Sequence, residues 1–241
     1  MRPPTQDFSG SDSPLDGDRS SVFGPELGEF PNAGQSSEPR EGEMKTGTTT
    51  VGLETEDGVV LATDMRASAG YMVASKDVQK VEEIHPTGAL TIAGSVSAAQ
   101  SLIASLRAET RLYEARRGEE MSMTALSTLV GNFLRSGGFF IVSPILGGVD
   151  SEGSHIYSID PAGGTTEEEY TVSGSGSQYA LGVLEQEYDN SLSIDDAKNV
   201  ATRAIKSAVE RDLASGNGIN IAVVTKEGVD IERHKDIDAL L

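Results

Sequence analysis

Hydrophobic residues are scattered without period over the first 46 positions and become regular from Thr48 onward. The opening stretch is rich in Pro, Gly, Ser, Asp and Glu, with isolated Phe8, Val22, Phe23 and Phe30. It has too little apolar surface to offset the entropy of ordering a chain. Residues 1–47 are therefore expected to be a disordered leader, with at most a short docking stretch around VFGPELGEF. After it, TTTVGLET and GVVLATD read as two β-branched strands joined at EDG. YMVASKDVQKVEEI and GALTIAGS continue as strands on either side of a turn at HPTG.

The period then changes. In VSAAQSLIASLRAETRLYEARRG the apolar positions 99, 102, 103 and 106 form one helical stripe. MSMTALSTLVGNFLRSG gives a second helix, with Gly137 placed to end it in a left-handed conformation. Strands resume with FFIVSPILGGV, HIYSIDPAGG and EEYTVSG, the Pro-Ala-Gly-Gly marking a turn. Two more helices follow, SQYALGVLEQEY and IDDAKNVATRAIKSAVERDLA, the latter opened by a capping box of Ser193 and Asp196. INIAVVT and VDIERH close the chain as a hairpin around KEG. Strand runs interleaved with helix pairs predict an α+β fold: two stacked antiparallel sheets with helices outside, a four-layer α-β-β-α sandwich over residues 48–241.

Composition narrows the chemistry. The 241 residues suffice for one large core. Thirty-eight acidic against 19 basic residues leave a net charge of −19, which argues against nucleic acid, since phosphate contacts need clustered Lys and Arg. The Glu167–Glu169 run reads as solvated surface, and the acid excess suits a salt-rich cytosol where screening mutes self-repulsion. Cysteine is absent, so disulfide and thiolate chemistry are excluded. His85, His155 and His234 show no metal-ligand spacing, and no metal or cofactor is expected. MRPPTQDFSG lacks the apolar run of a secretory signal and no stretch approaches a membrane span, so a cytoplasmic location is expected.

The junction KTGTTTVG carries the sharpest chemistry. A hydroxyl near neutrality needs a base beside it. Cutting between Gly47 and Thr48 would create an α-amine, titrating at about 7.7–8.0, on the residue that bears the hydroxyl. One residue would then be both nucleophile and base, while an attached leader would keep that nitrogen a non-basic amide. Gly47, without a side chain, would let the hydroxyl fold back onto its carbonyl. If Asp57-Gly58 forms the hairpin turn, Asp64 lies opposite Val51 and about 10 Å from Thr48 along the strand. A carboxylate there could act only through a long cation, and Lys80 in the next strand region is the candidate. Asp64 would fix Lys80, whose charge would lower the pKa of the Thr48 hydroxyl and amine.

The ordered set TGTTTVG, LATDMRAS, the Lys of VQKVEEI, LTIAGSVSAAQ, ILGGVD, YSIDPAGG, SGSGSQYALGVLE and ERDLASGNGINIAVVT resembles the catalytic β subunit of archaeal 20S proteasomes, among the N-terminal-nucleophile hydrolases. The resemblance spans residues 46–235. It implies a threonine endopeptidase with Thr48 as nucleophile, freed by self-cleavage after Gly47, and Asp64 and Lys80 as supporting acid and base. Ser175, Asp212 and Ser215 would surround the threonine amine, and the Gly94 N–H would be the oxyanion donor. Ala67, Val78, Ile92 and Val96 would line an apolar specificity pocket favouring cleavage after hydrophobic residues. Ser68 would join Gly94 in holding the substrate backbone; it stands where many relatives have Thr. The implied partners are other β subunits in a seven-membered ring, α subunits, an ATP-dependent unfolding cap and unfolded polypeptide.

Three other readings compete. A structural β-type ring subunit would never mature, a bacterial relative would form six-fold rings, and a small-amide hydrolase would share only the chemistry. N-terminal sequencing of purified particles is expected to begin at Thr48; a different start would move the nucleophile elsewhere.

Overall fold

Thr49–Thr55 (β1) and Gly58–Asp64 (β2) pair antiparallel around a turn at Glu56-Asp57. The turn is one residue earlier than expected. Gly58 is the first strand residue, opposite Thr55, and a Cβ on it would lie 2.3 Å from the Val224 carbonyl oxygen. That glycine answers the close approach of a neighbouring strand and not a turn dihedral. Asp64 therefore lies one step beyond the Thr50–Thr63 pair and faces Thr49 instead of Val51.

In the computed structural model of the chain, residues 47–137, 139 and 142–241 are described, so the expected leader and its VFGPELGEF stretch fall outside, save Gly47. The segment read as one strand, YMVASKDVQKVEEI, is divided. Ala67–Ala69 (β3) and Met72–Ser75 (β4) make a small separate hairpin turned at Gly70, whose φ is 60°. Residues 76–80 take no regular structure, and Val81–His85 (β5) then pairs with Gly88–Thr91 (β6). The polar run SKDVQK has no alternating apolar set to bury, which is why the ladder breaks there.

Val96–Arg117 (α1) and Met123–Arg135 (α2) start at Ser95 and Ser122, whose side chains accept from Ala98 N and Ala125 N. Gly137 follows α2 at φ 83°, in the expected left-handed region. Pro144 has no N–H to give a ladder, and among the described residues of FFIVSPILGGV the strand is Ile145–Val149 (β7), with Val142 in an isolated bridge to Gly94. Ser154–Ile159 (β8) and Thr165–Glu167 (β9) continue that sheet, whereas Tyr170–Gly174 (β10) joins the other. The Glu167–Glu169 side chains are exposed as expected, but their backbone is the crossing point. Glu167 pairs with Tyr157 on one side, and Glu169 O accepts from Glu54 N at 2.8 Å on the other.

Ser177–Glu187 (α3) and Ile194–Arg211 (α4) complete the helices. Ser193 accepts from Asp196 N at 3.1 Å, but its hydroxyl then donates to the Asp196 carboxylate at 2.7 Å, so the capping box is only half formed. Ile219–Thr225 (β11) and Gly228–His234 (β12) form the last hairpin.

The sheets run β10-β1-β2-β11-β12 and β5-β6-β7-β8-β9, all neighbours antiparallel. Helices α3 and α4 cover the first and α1 and α2 the second, the predicted α-β-β-α sandwich. Strand β2 shows what four layers demand of a sequence. Val60 and Ala62 face the α3–α4 side, while Val59 and Leu61 face the second sheet. Both faces are buried, which accounts for a continuous apolar run in an antiparallel strand. Between the sheets, Gly52 and Gly147 leave the room that Leu61 and Ile156 fill: a Cβ on either would come within 3.0–3.2 Å of both side chains. No helix among the described residues is long and apolar enough to cross a membrane. Leu61→Ala, emptying a fully buried inter-sheet position, is expected to destabilise the domain by about 2–5 kcal/mol in denaturant unfolding. A loss below about 1 kcal/mol would show that the sheets close over the gap.

Candidate active site

Thr48 lies at the mouth of β1, where the strand enters between β10 and β2. It is 4 % exposed. Its hydroxyl donates to the Gly47 carbonyl oxygen at 2.6 Å and accepts from Lys80 Nζ at 2.9 Å. Lys80 Nζ also donates to Asp64 Oδ1 at 2.8 Å. The cation thus bridges a carboxylate and the hydroxyl, and the geometry joins all three residues although the hairpin register differs from the expected one.

Asp64 is held from several directions. Oδ1 accepts from Thr49 N at 3.0 Å, and Oδ2 accepts from Arg66 N at 3.0 Å and Gly216 N at 2.9 Å. Lys80 is 2 % exposed and follows the irregular 76–80 segment directly. Burial pushes its ammonium below the ordinary lysine range; Asp64 opposes this, Asp212 adds a smaller push upward, and Arg66 pushes further down. The outcome is a lysine that gives up its proton more readily than a solvated one.

The second group meets the threonine from the other side. Thr48 N donates to Ser175 Oγ at 3.2 Å, and Ser175 Oγ donates to Asp212 Oδ2 at 2.6 Å. Ser215 Oγ donates to the same carboxylate oxygen at 2.6 Å. Since that uses the only Ser215 hydroxyl proton, Thr49 is the donor in its 2.7 Å contact with Ser215. Ser175 and Asp212 come from the turns before α3 and after α4, which pack side by side.

Gly47 lies in a tight place. Its N–H donates to Ser68 Oγ at 3.0 Å, and a Cβ would fall 1.8 Å from the Ala214 Cβ. Ser68, expected at the substrate backbone, here holds the residue before the threonine. Gly94 sits at φ 116°, bridged to Val142, and among the described residues no bond links it to the Thr48 cluster. Ala67, Val78 and Val96 are half-buried, whereas Ile92 is 4 % exposed and packs in the core under α1 and α2.

Neither residue type nor spacing marks Arg66, Thr49, Gly216 and Asn217 as parts of the site. Arg66 Nε donates to Asn217 Oδ1 at 2.9 Å and Nη1 donates to Leu213 O at 2.8 Å, so its guanidinium clamps the 213–217 loop. Gly216 passes directly beneath that guanidinium, which a Cβ would meet at 2.3 Å. Asn217 is left-handed at φ 69°. The SGNG run signals a turn, but nothing in it announces that the turn caps a carboxylate 152 residues away in sequence.

Residues 44–224 match the family model described as proteasome subunit. The chain is 77 % identical over the whole of both proteins to a proteasome subunit beta of Haloferax volcanii and 73 % identical, again over both whole chains, to one of Haloquadratum walsbyi. It is 60 % identical to a proteasome subunit beta 2 of Haloterrigena turkmenica, over 92 % of this chain and 94 % of that one. These sources are halophilic archaea, in keeping with the acid excess.

Breaking a buried ion pair by removing one partner leaves an uncompensated charge. Asp64→Asn is therefore expected to destabilise the domain by about 3–5 kcal/mol in chemical unfolding and to push the Lys80 titration lower still, as read by NMR of labelled lysine Cε. An unmoved lysine titration would mean that Asp64 does not hold the cation.

Proposed function

We propose, from the premise that the chain belongs to the proteasome subunit family and is a β subunit of it, that it is a processed, catalytic member acting as a threonine endopeptidase. The observation that carries this reading is the Thr48 hydroxyl, 2.9 Å from Lys80 Nζ and 2.6 Å from the carbonyl oxygen of Gly47. A nucleophile in that place is supplied with a cation on one side and, on the other, with the carbonyl group it has to attack for self-cleavage.

In the first stage Thr48 Oγ adds to the Gly47 carbonyl carbon. The C–N bond breaks, the nitrogen takes a proton, and the acyl group rests on oxygen as an ester. Water hydrolyses the ester, leaving a carboxylate on Gly47 and a free amine on Thr48. That amine inherits the Ser175 contact, and Ser175 is already oriented by Asp212. In turnover the amine takes the hydroxyl proton as Oγ attacks a substrate carbonyl, then passes it to the leaving amine. The resulting acyl ester is hydrolysed by water. Lys80, lowered by burial and steadied by Asp64, supports the developing alkoxide. The Gly94 N–H receives the negative charge on the attacked carbonyl oxygen. Ala67, Val78 and Val96 give an apolar wall backed by the buried Ile92, hence cleavage after hydrophobic residues.

A β subunit of this family assembles in a core particle with other subunits. For this chain the arrangement proposed is a seven-membered β ring bounded by α subunits, fed with unfolded polypeptide by an ATP-dependent cap in the cytoplasm. Thr48→Val in the assembled particle is expected to retain the leader, read by intact mass, and to lower peptide cleavage by roughly a thousandfold or more. Cleavage at the ordinary rate would remove Thr48 from its role. An unsubstituted particle that keeps its leader and cleaves nothing would favour the structural, never-maturing subunit.

A further inference from the structure

Lys80 must deliver its ammonium to within 2.9 Å of two oxygens, yet residues 76–80, which lead into it, belong to no strand ladder. Their position rests on individual bonds. Val78 N donates to Met65 O at 3.0 Å, and Lys80 O accepts from Ile92 N at 2.7 Å. The Val78 carbonyl accepts from a side chain, Asn220 Nδ2, at 3.2 Å.

Asn220 lies on β11 opposite Thr63 of β2 and is fully buried. The same Nδ2 donates to Thr63 Oγ1 at 2.9 Å and lies 3.4 Å from the carbonyl oxygen of Asp64. Its Oδ1 accepts from Arg233 Nε at 3.3 Å. The amide orientation is fixed by its partners: two backbone carbonyls can only accept and a guanidinium can only donate, so nitrogen and oxygen cannot be exchanged. Arg233 also pairs through Nη2 with Asp77, which in turn meets Lys235 Nζ at 3.1 Å. One buried carboxamide therefore spans the strand that bears Asp64 and the irregular segment that leads into Lys80, and Arg233 ties both to the outer strand.

We propose that Asn220, oriented by Arg233, is a positioning residue that sets the spacing between the Asp64-bearing strand and the Lys80-bearing segment, and so places the lysine on the Thr48 hydroxyl. This rests on the reading of Thr48 as nucleophile and adds to it a residue that touches neither substrate nor reacting atoms. Misplacement of a group by a fraction of an ångström to 1 Å costs rate without costing substrate affinity.

The test uses assembled particles carrying Asn220→Leu, which keeps the branched outline at a larger volume and removes both donor and acceptor, and Arg233→Gln, which keeps Asn220 but removes the guanidinium that holds its Oδ1. Each is compared with the unsubstituted particle in kcat and KM on a fluorogenic peptide, leader removal by intact mass, and particle melting. Asn220→Leu is expected to lower kcat about tenfold or more with KM within about twofold of the unsubstituted value and leader removal slowed in step. Arg233→Gln is expected to lower kcat by a smaller factor, about two- to fivefold, with melting unchanged. If Asn220→Leu does not assemble, Arg233→Gln decides alone. A variant whose kcat matches the unsubstituted particle, or whose KM rises while kcat holds, overturns the proposal. Failure of the unsubstituted particle itself to cleave would overturn the reading of Thr48 instead, so the two failures are told apart.

Discussion

A lysine ammonium that is almost wholly removed from water sits at the centre of this structure. Such a charge is tolerated only when opposite charge and hydrogen bonds replace its hydration. Asp64 supplies the charge, and three backbone N–H groups, from Thr49, Arg66 and Gly216, hold its two oxygens in place. Those donors come from the start of β1, the residues just past the end of β2 and the loop after α4. The ion pair can form only when these pieces of chain have met, so the candidate site and the completed sandwich stand or fall together.

The sandwich makes that meeting possible by burying its central strands on both faces. β1 lies between β10 and β2, and β2 between β1 and β11, so Thr48 and Asp64 end in the same corner at strand termini. The chain returns to this corner twice more, in the turn before α3 with Ser175 and in the loop after α4 with Asp212 and Ser215. Irregular backbone at these points is held by side chains: Arg66 clamps the 213–217 loop, and Asn220 bonds the carbonyl of Val78.

Charge acts at two ranges. The chain as a whole carries −19, which favours the protonated form of any lysine, while burial around Lys80 favours the neutral one. At molar ionic strength the long-range contribution is screened within a few ångströms and the buried contacts are not. Burial, opposed by the local carboxylate and not by the acidic surface, then governs the lysine.

Periodicity alone was enough to find the helices: positions 99, 102, 103 and 106 are the buried stripe of α1, and Gly137 does end α2. It also gave the four layers, because continuous apolar strands between amphipathic helices can be buried in few other ways. Residue type and order single out Asp64 and Lys80, which the structure joins in an ion pair, although the hairpin turns at Glu56-Asp57, one residue before the Asp57-Gly58 that the sequence suggests. What sequence could not supply were contacts made across long separations by backbone groups, which every residue carries and no residue type marks. Gly216 N on Asp64, the division of the 71–84 segment, the passage of Glu167–Glu169 between sheets and the carboxamide of Asn220 all belong to this class. Local pattern determines which face of an element is apolar; only packing of the whole decides which buried donor finds which acceptor.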